Sequence, residues 1–522
     1  MASVDPSSNP IKEKAESLTS SQGRVASTPG ESQGDGNHQV ASTITYTREE
    51  EKRLVRKIDW LTVPILTALY LLSFLDRSNI GNAKIEGLVT DLGIKDYGAL
   101  LSIFFVGYVI AEVPSNLVLK LTSPPIWLPT LTLVWGILSV GLGLCKKEVD
   151  IYLVRFFLGV AEAGLFPGSV YIFSMFYPRK ERHYRVSLLL SGAAASGSLS
   201  GILAFGIAKM GGVGGKPGWA WIFILEGLLT IVVSIAAYWI VPNYPNVSKR
   251  FTPREKEIIS ARLSKDSDAL DSEAFNWEGV RQAFKDPYVY LYSFLFHGYA
   301  FSLYSFSLFL PTIIAGLGYK SWQAQLLTIP PYFLAFLVTM SVAHASFLVG
   351  KRLVFIIGSG LVAILGYIVQ MTSPTLGGKY VSVFIVASGV YSGNALLLSL
   401  PSENISGQTK RATALAMQIA IGDVGAIAGT LLYRIPLGSL KNKNYNVSHG
   451  LAILWLGFGI LSASLLWFLL GRENRRRDAL ASRRSAEKGE GDGDATQQET
   501  EVLGIDELRR LGDRRPDWRY HV

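Results

Sequence analysis

The chain has 522 residues, 49% hydrophobic, with a mean hydropathy of +0.28, and its apolar residues bunch into blocks of about 20, the length that spans a hydrocarbon core. That bunching excludes the polar-linked soluble domains usual at this length, and the single Cys145 excludes both an intrachain disulfide framework and a cysteine-built metal site. The formal charge of +9 sits mainly in short loops and tails between apolar blocks, which fits the positive-inside rule rather than nucleic-acid binding.

Residues 1–50 are rich in Ser, Gly, Thr and Glu and have no apolar core. They read as a disordered tail without a signal peptide, leaving the first membrane helix as the insertion signal. Twelve spans follow: 58–77, 97–119, 126–145, 151–174, 186–209 and 219–241, then 288–312, 322–346, 352–371, 380–401, 411–433 and 449–470. The polar stretch 242–287 divides them six and six, and within it Thr252 and Pro253 are placed to cap and start a short surface helix. The expected architecture is an all-α membrane protein of twelve transmembrane helices in two six-helix bundles, 51–241 and 288–471, followed by a tail over 472–522. Lys and Arg crowd one side, at residues 52–57, 179–185, 351–352, 410–411 and 472–477, so both termini and the central loop are expected in the cytoplasm. Of the three glycosylation sequons, that rule leaves only Asn446 on the outer side, where it is either modified or unused.

Charges inside these spans carry the chemistry. A charge at the bilayer centre costs about 2.5–3.5 kcal/mol on insertion scales, so Asp76, Arg77, Arg155 and Glu162 should face a cavity or one another. Arg155 and Glu162, seven apart, share a helix face with Gly159 between them. Asp76 and Arg77 point about 100° apart and need not pair; one division sends Asp76 toward a proton path and Arg77 toward a substrate. Arginine suits a carboxylate because its planar fork donates two parallel hydrogen bonds. Tyr108 can bond a carboxylate at lower desolvation cost, with Glu112 and Asn116 continuing its stripe. In the second half Asn394, Ser399, Glu403, Gln418 and Asp423 are available, with Asp423 either a second proton site or the balance of Arg434. Tyr299 or Tyr304 could reach the same place, and His297 and His344 stand alone. Structural ion pairing, helix-end pairing or snorkelling is the competing account of the charged residues. Nucleotide-binding, hydrolase and zinc-protease motifs are absent, so no enzyme, metal or cofactor is expected, and the driving force should be an ion gradient.

The run Leu75-Asp76-Arg77-Ser78-Asn79-Ile80-Gly81-Asn82 resembles the fungal allantoate permease-like group of the major facilitator superfamily, in the anion:cation symporter family. The likeness continues through Arg155-Phe156-Phe157-Leu158-Gly159-Val160-Ala161-Glu162, Trp221–Gly227 and the C-terminal Arg515–Tyr520. The resemblance implies proton-driven import of a small organic anion, such as allantoate, nicotinate, pantothenate or biotin, by a monomeric plasma-membrane carrier. It implies that Arg77 holds the substrate carboxylate with help from Tyr108, that Asp76 and Glu162 handle protons, and that Arg155 pairs with Glu162 in the fourth helix; beside it, the residues themselves add Arg155 and Asn394 as candidate substrate contacts and Asp423 as a candidate proton-coupling site. Asp423 stands where many relatives carry Asn, which admits a cationic or amide-bearing cargo. A proton-independent facilitator or exchanger is the alternative, and a transporter-like nutrient sensor a more remote one.

Overall fold

A computed structural model describes residues 46–264, 276–433, 446–488, 512–515 and 518–521. Most of the expected N-terminal tail, Arg434, and the loop lysines 441 and 443 lie outside them. Among the described residues there are no strands, and eleven helices are long and apolar enough to cross a membrane.

The first set comprises α1 (Arg48–Ile85), α2 (Leu88–Asp91), α3 (Tyr97–Leu121), α4 (Pro124–Leu142), α5 (Glu148–Glu162), α6 (Leu165–Phe176), α7 (Arg179–Ala208) and α8 (Gly218–Ile240). The fourth expected span, 151–174, is therefore two helices rather than one. Pro167 cannot donate to the Ala163 carbonyl and its ring crowds it, so the rod breaks at Ala163-Gly164.

The central stretch holds α9 (Pro253–Ser264) and α10 (Trp277–Lys285). Thr252 caps α9 as its sequence predicts: its hydroxyl accepts from the Glu255 amide at 3.2 Å, and Glu255 accepts from the Thr252 amide at 2.8 Å.

The second set comprises α11 (Pro287–Gly316), α12 (Ser321–Leu327), α13 (Ile329–Val349), α14 (Arg352–Thr372), α15 (Leu376–Leu397), α16 (Leu400–Asn404), α17 (Gln408–Leu432) and α18 (Asn446–Lys488). Pro401 ends α15 just as Pro167 ends α5. The Leu397 carbonyl that it leaves without an amide is taken up by Gln418 Nε2 at 3.2 Å.

Helix pairing in the second set repeats the first. α1 lies against α7, α4 against α8 and α3 against α5; correspondingly α11 lies against α17, α14 against α18 and α13 against α15. Between the sets runs a seam in which α1 meets α11, α3 meets α17 and α7 meets α13. Such repeats with a site between them are a common transporter plan.

One end of the helices carries α9, α10 and the C-terminal residues, and is called the linker side below. There Lys57 of α1 binds Glu255 of α9 at 2.8 Å, and Arg262 binds both Glu51 and Glu181. Residues 512–515 and 518–521 dock on the same side. Lys410 of α17 bridges Asp286 and Asp513 at 2.7 and 2.6 Å. Asn404 and Asn474 each exchange two hydrogen bonds with the backbone of His521 and Tyr520, respectively, and Trp518 is buried.

Candidate functional site

A narrow cavity opens in the seam near mid-helix. Tyr70, Ser73, Phe74 and Arg77 of α1, Tyr108 of α3 and Glu162 of α5 line it from one set, and Phe296 and Tyr304 of α11 and Ile419 of α17 from the other. The seam is bridged toward both ends. On the linker side Arg182 of α7 donates to the Ser402 carbonyl at 3.0 Å; on the opposite side Glu86 accepts from Ser321 and from Gln325, the latter at 2.9 Å.

Arg77 is the centre of the cavity wall. Its guanidinium donates to Glu162 Oε1 at 2.5 Å and to the Tyr304 hydroxyl at 2.9 Å, while Nε has no partner among the described residues. Rings of Phe74, Phe104, Tyr108 and Tyr304 surround it at 4.8–5.4 Å. Ser73, one turn before Arg77, also donates to Glu162. A buried ion pair of this kind is held by geometry and neighbouring donors, since desolvation offsets much of the Coulomb attraction. Its partners come from three helices and from both sides of the seam, so a change at Arg77 reaches both sets at once.

Asp76 turns the other way, as the 100° step between neighbours requires. Trp135 Nε1 donates to it at 2.5 Å, Ser139 at 3.3 Å and Thr230 at 3.4 Å, so it sits in a dry pocket between α1, α4 and α8. Arg155 is fully buried beside Phe104, and none of its three guanidinium nitrogens has a hydrogen-bond partner among the described residues. The expected neutralisation of two acids by two arginines is thus corrected: Glu162 binds Arg77, whereas Asp76 is held by neutral donors. The α3–α5 contact that places Arg155 and Glu162 depends on reciprocal glycines. A Cβ on Gly107 would stand 2.3 Å from the Phe156 carbonyl oxygen, and one on Gly159 2.0 Å from that of Phe104.

Of the other candidates, Tyr108 faces the cavity, whereas Asn394 and Asp423 are buried outside its lining, each with a side-chain oxygen that has no partner among the described residues. Glu403 pairs with Arg352, and His297 Nδ1 lies 3.0 Å from the Ile421 carbonyl. Tyr299 donates to the Ile356 carbonyl at 2.6 Å, which leaves Tyr304 as the aromatic that reaches Arg77. Sequence reasoning passed over Ser73, Trp135 and Glu226. Glu226, an acid within the apolar span 219–241, carried the same signal as Asp76; it accepts from Asn79, which with Ser200 and Asn82 forms a buried polar chain. Ser73 and Trp135 carry no such signal.

The Major Facilitator Superfamily family model matches residues 66–430. An uncharacterized transporter of Schizosaccharomyces pombe is 32% identical over 86% of this chain and 93% of its own length. The high-affinity nicotinic acid transporter of Saccharomyces cerevisiae is 30% identical over 90% of this chain and 85% of its own. Among solved structures, a bacterial homolog of the human lysosomal transporter Spinster, in an inward-facing and occupied conformation, superposes with a TM-score of 0.54 at 15% identity, covering 82% of this chain and 98% of that one. Eleven long apolar helices, a seam-spanning cavity and these matches lead to one conclusion: the chain belongs to the major facilitator superfamily of membrane transporters.

Proposed function

We propose that the protein is a proton-coupled importer of a small organic anion, of the allantoate permease-like kind, in the plasma membrane with both termini cytoplasmic. The observation that carries this reading is Arg77: a buried guanidinium on the seam cavity, bound to a carboxylate from one side and a phenol from the other. The similarity to a nicotinic acid transporter supports a monocarboxylate as cargo.

In this reading Glu162, while ionised, occupies Arg77. Addition of a proton to Glu162 removes its charge, and Arg77 then offers its donors to the incoming carboxylate. Tyr108 contributes a ring face and hydroxyl to the same cavity. Arg155, with no hydrogen-bond partner among the described residues, supplies a second positive charge, and Asn394 a polar contact once the seam rearranges. Asp76 and Asp423 are further proton sites. The halves 51–241 and 288–471 rock about the cavity to expose it alternately. Import of more than one proton per monoanion moves net charge, worth about 2.3 kcal/mol per elementary charge per 100 mV.

Uptake of radiolabelled nicotinate, nicotinamide and a panel of aliphatic monocarboxylates, in a host lacking such carriers, tests the reading. The acids are expected to enter faster at acidic pH, the amide not at all. Arg77→Lys is expected to lower uptake at least tenfold, about 1.4 kcal/mol in transition-state stabilisation. Full uptake by Arg77→Met, or equal uptake of acid and amide, overturns it.

A further inference from the structure

Glu112 is absent from the site described above, although it is a fully buried acid of α3 whose two carboxylate oxygens both lack a partner among the described residues. It faces the seam. Ser102 of α3 and Thr430 of α17 lie 2.8 Å apart, and Asn116 and Leu119 of α3 share a pocket with Arg411 and Leu415 of α17, so the two helices run antiparallel. At 1.5 Å per residue Glu112 lies about 15 Å along α3 from Ser102, and Asp423 about 10 Å back along α17 from Thr430, roughly one turn apart. Among the charged groups on helices packed against α3, including Arg155 and Glu162 of α5 and Lys410 and Arg411 of α17, the one that bears electrostatically on Glu112 is Asp423; Tyr108 lies near both acids, and Asp423 also feels Arg77 and Glu162.

Among the described residues this stretch of the seam gathers buried acceptors without partners. Besides the two Glu112 oxygens, Asp423 Oδ1 and Gln418 Oε1 are buried and unpartnered. An ionised carboxylate buried without a partner costs several kcal/mol, and two facing carboxylates cannot both ionise in a dry site. The ligand that fits must be a cation small enough for closely packed helices, and it must supply a donor. A proton meets both conditions, since it needs no cavity of its own and turns one carboxylate oxygen into an O–H donor for the other acid.

We infer that Glu112 and Asp423 form a second proton-binding pair beside the Arg77–Glu162 site, loaded while α3 and α17 are in contact and discharged when the seam parts and water reaches Glu112. Glu112 lies on the half of α3 nearer the linker side, so parting of the seam there exposes it first. The inference rests on the proton-coupled reading above and adds a site to it.

Infrared difference spectra of the purified full-length protein between acidic and alkaline pH report protonated carboxyl groups through their C=O stretch. Glu112→Gln is expected to remove one component of that band and Asp423→Asn to displace it, while Glu112→Asp retains it. Spectra of Glu112→Gln identical to wild type overturn the proposal. In nicotinate uptake, Glu112→Gln is expected to flatten the pH dependence while nicotinate still quenches tryptophan fluorescence as in wild type. A wild-type pH profile in Glu112→Gln overturns this pair and leaves the Arg77 reading standing; pH-independent uptake by the wild type overturns both. If Glu112→Gln does not fold, Asp423→Asn makes the same uptake test.

Discussion

At the scale of single residues, Asp76 and Glu162 have opposite surroundings: neutral donors around the first, a guanidinium against the second. Their neutral substitutes should therefore differ. Glu162→Gln releases Arg77 without a proton, so nicotinate binding is expected to persist or tighten while net uptake and its pH dependence are lost. Asp76→Asn leaves the Arg77–Glu162 bond intact, and its expected loss is in pH dependence and maximal rate rather than in affinity. Uptake with the wild-type pH profile in both variants would contradict the assignment. Arg77 and Glu162 were legible in the sequence because an ion in an apolar span demands a partner. Even the divergence of Asp76 from Arg77 followed from helix geometry. The partners of Asp76 were not legible, because Trp135, Ser139 and Thr230 are ordinary residues of membrane helices and become informative only when α4 and α8 bring them to one carboxylate. Likewise nothing in the sequence indicates that Arg155 is buried without a hydrogen bond.

Among elements, the close approach of α3 and α5 is the most sensitive contact near the site. Gly159→Ala places a methyl against the Phe104 carbonyl oxygen, and since backbone cannot yield as a side chain does, about 1–3 kcal/mol of destabilisation is expected. A lower melting temperature of the purified protein, with weaker nicotinate binding as Glu162 shifts, is the readout; an unchanged melting temperature would show that the helices can separate freely. The α1–α9 clasp makes a separate prediction. Burial alone would push Glu255 up, but its bonds to Lys57 and Thr252 hold it below the ordinary 4.5. A carboxylate lowered on folding adds stability above its unfolded value and loses it as pH falls through the folded one. The clasp is partly exposed, so its contribution is at most about 1 kcal/mol. The stability difference between wild type and Glu255→Gln should therefore shrink as pH falls below 4.5 and vanish once the folded-state carboxyl is protonated. Periodicity and length gave the spans, but the breaks at Ala163-Gly164 and after Leu397 required attention to Pro167 and Pro401, each in an otherwise continuous apolar run.

For the whole molecule, the described C-terminal residues tie the linker-side ends of α11, α16, α17 and α18 through Asp513, Tyr520 and His521. A chain truncated before Gly512 should melt at least about 4 °C lower and transport more slowly, because the second set loses the fastening of its helix ends. Thermal denaturation and uptake of the truncated chain check this; wild-type values in both would reduce the contact to a surface ornament. The Arg77–Tyr304 bond has a consequence of its own, because it joins residues on opposite sides of the seam. A ligand that strips the phenol from the guanidinium also unties one half from the other, so occupancy and unlocking become a single event. An anion that engages only the spare Nε edge would lodge without unfastening anything. Passenger and plug would then differ by one displaced hydroxyl, which gives chemists a rule for making an inhibitor from a cargo.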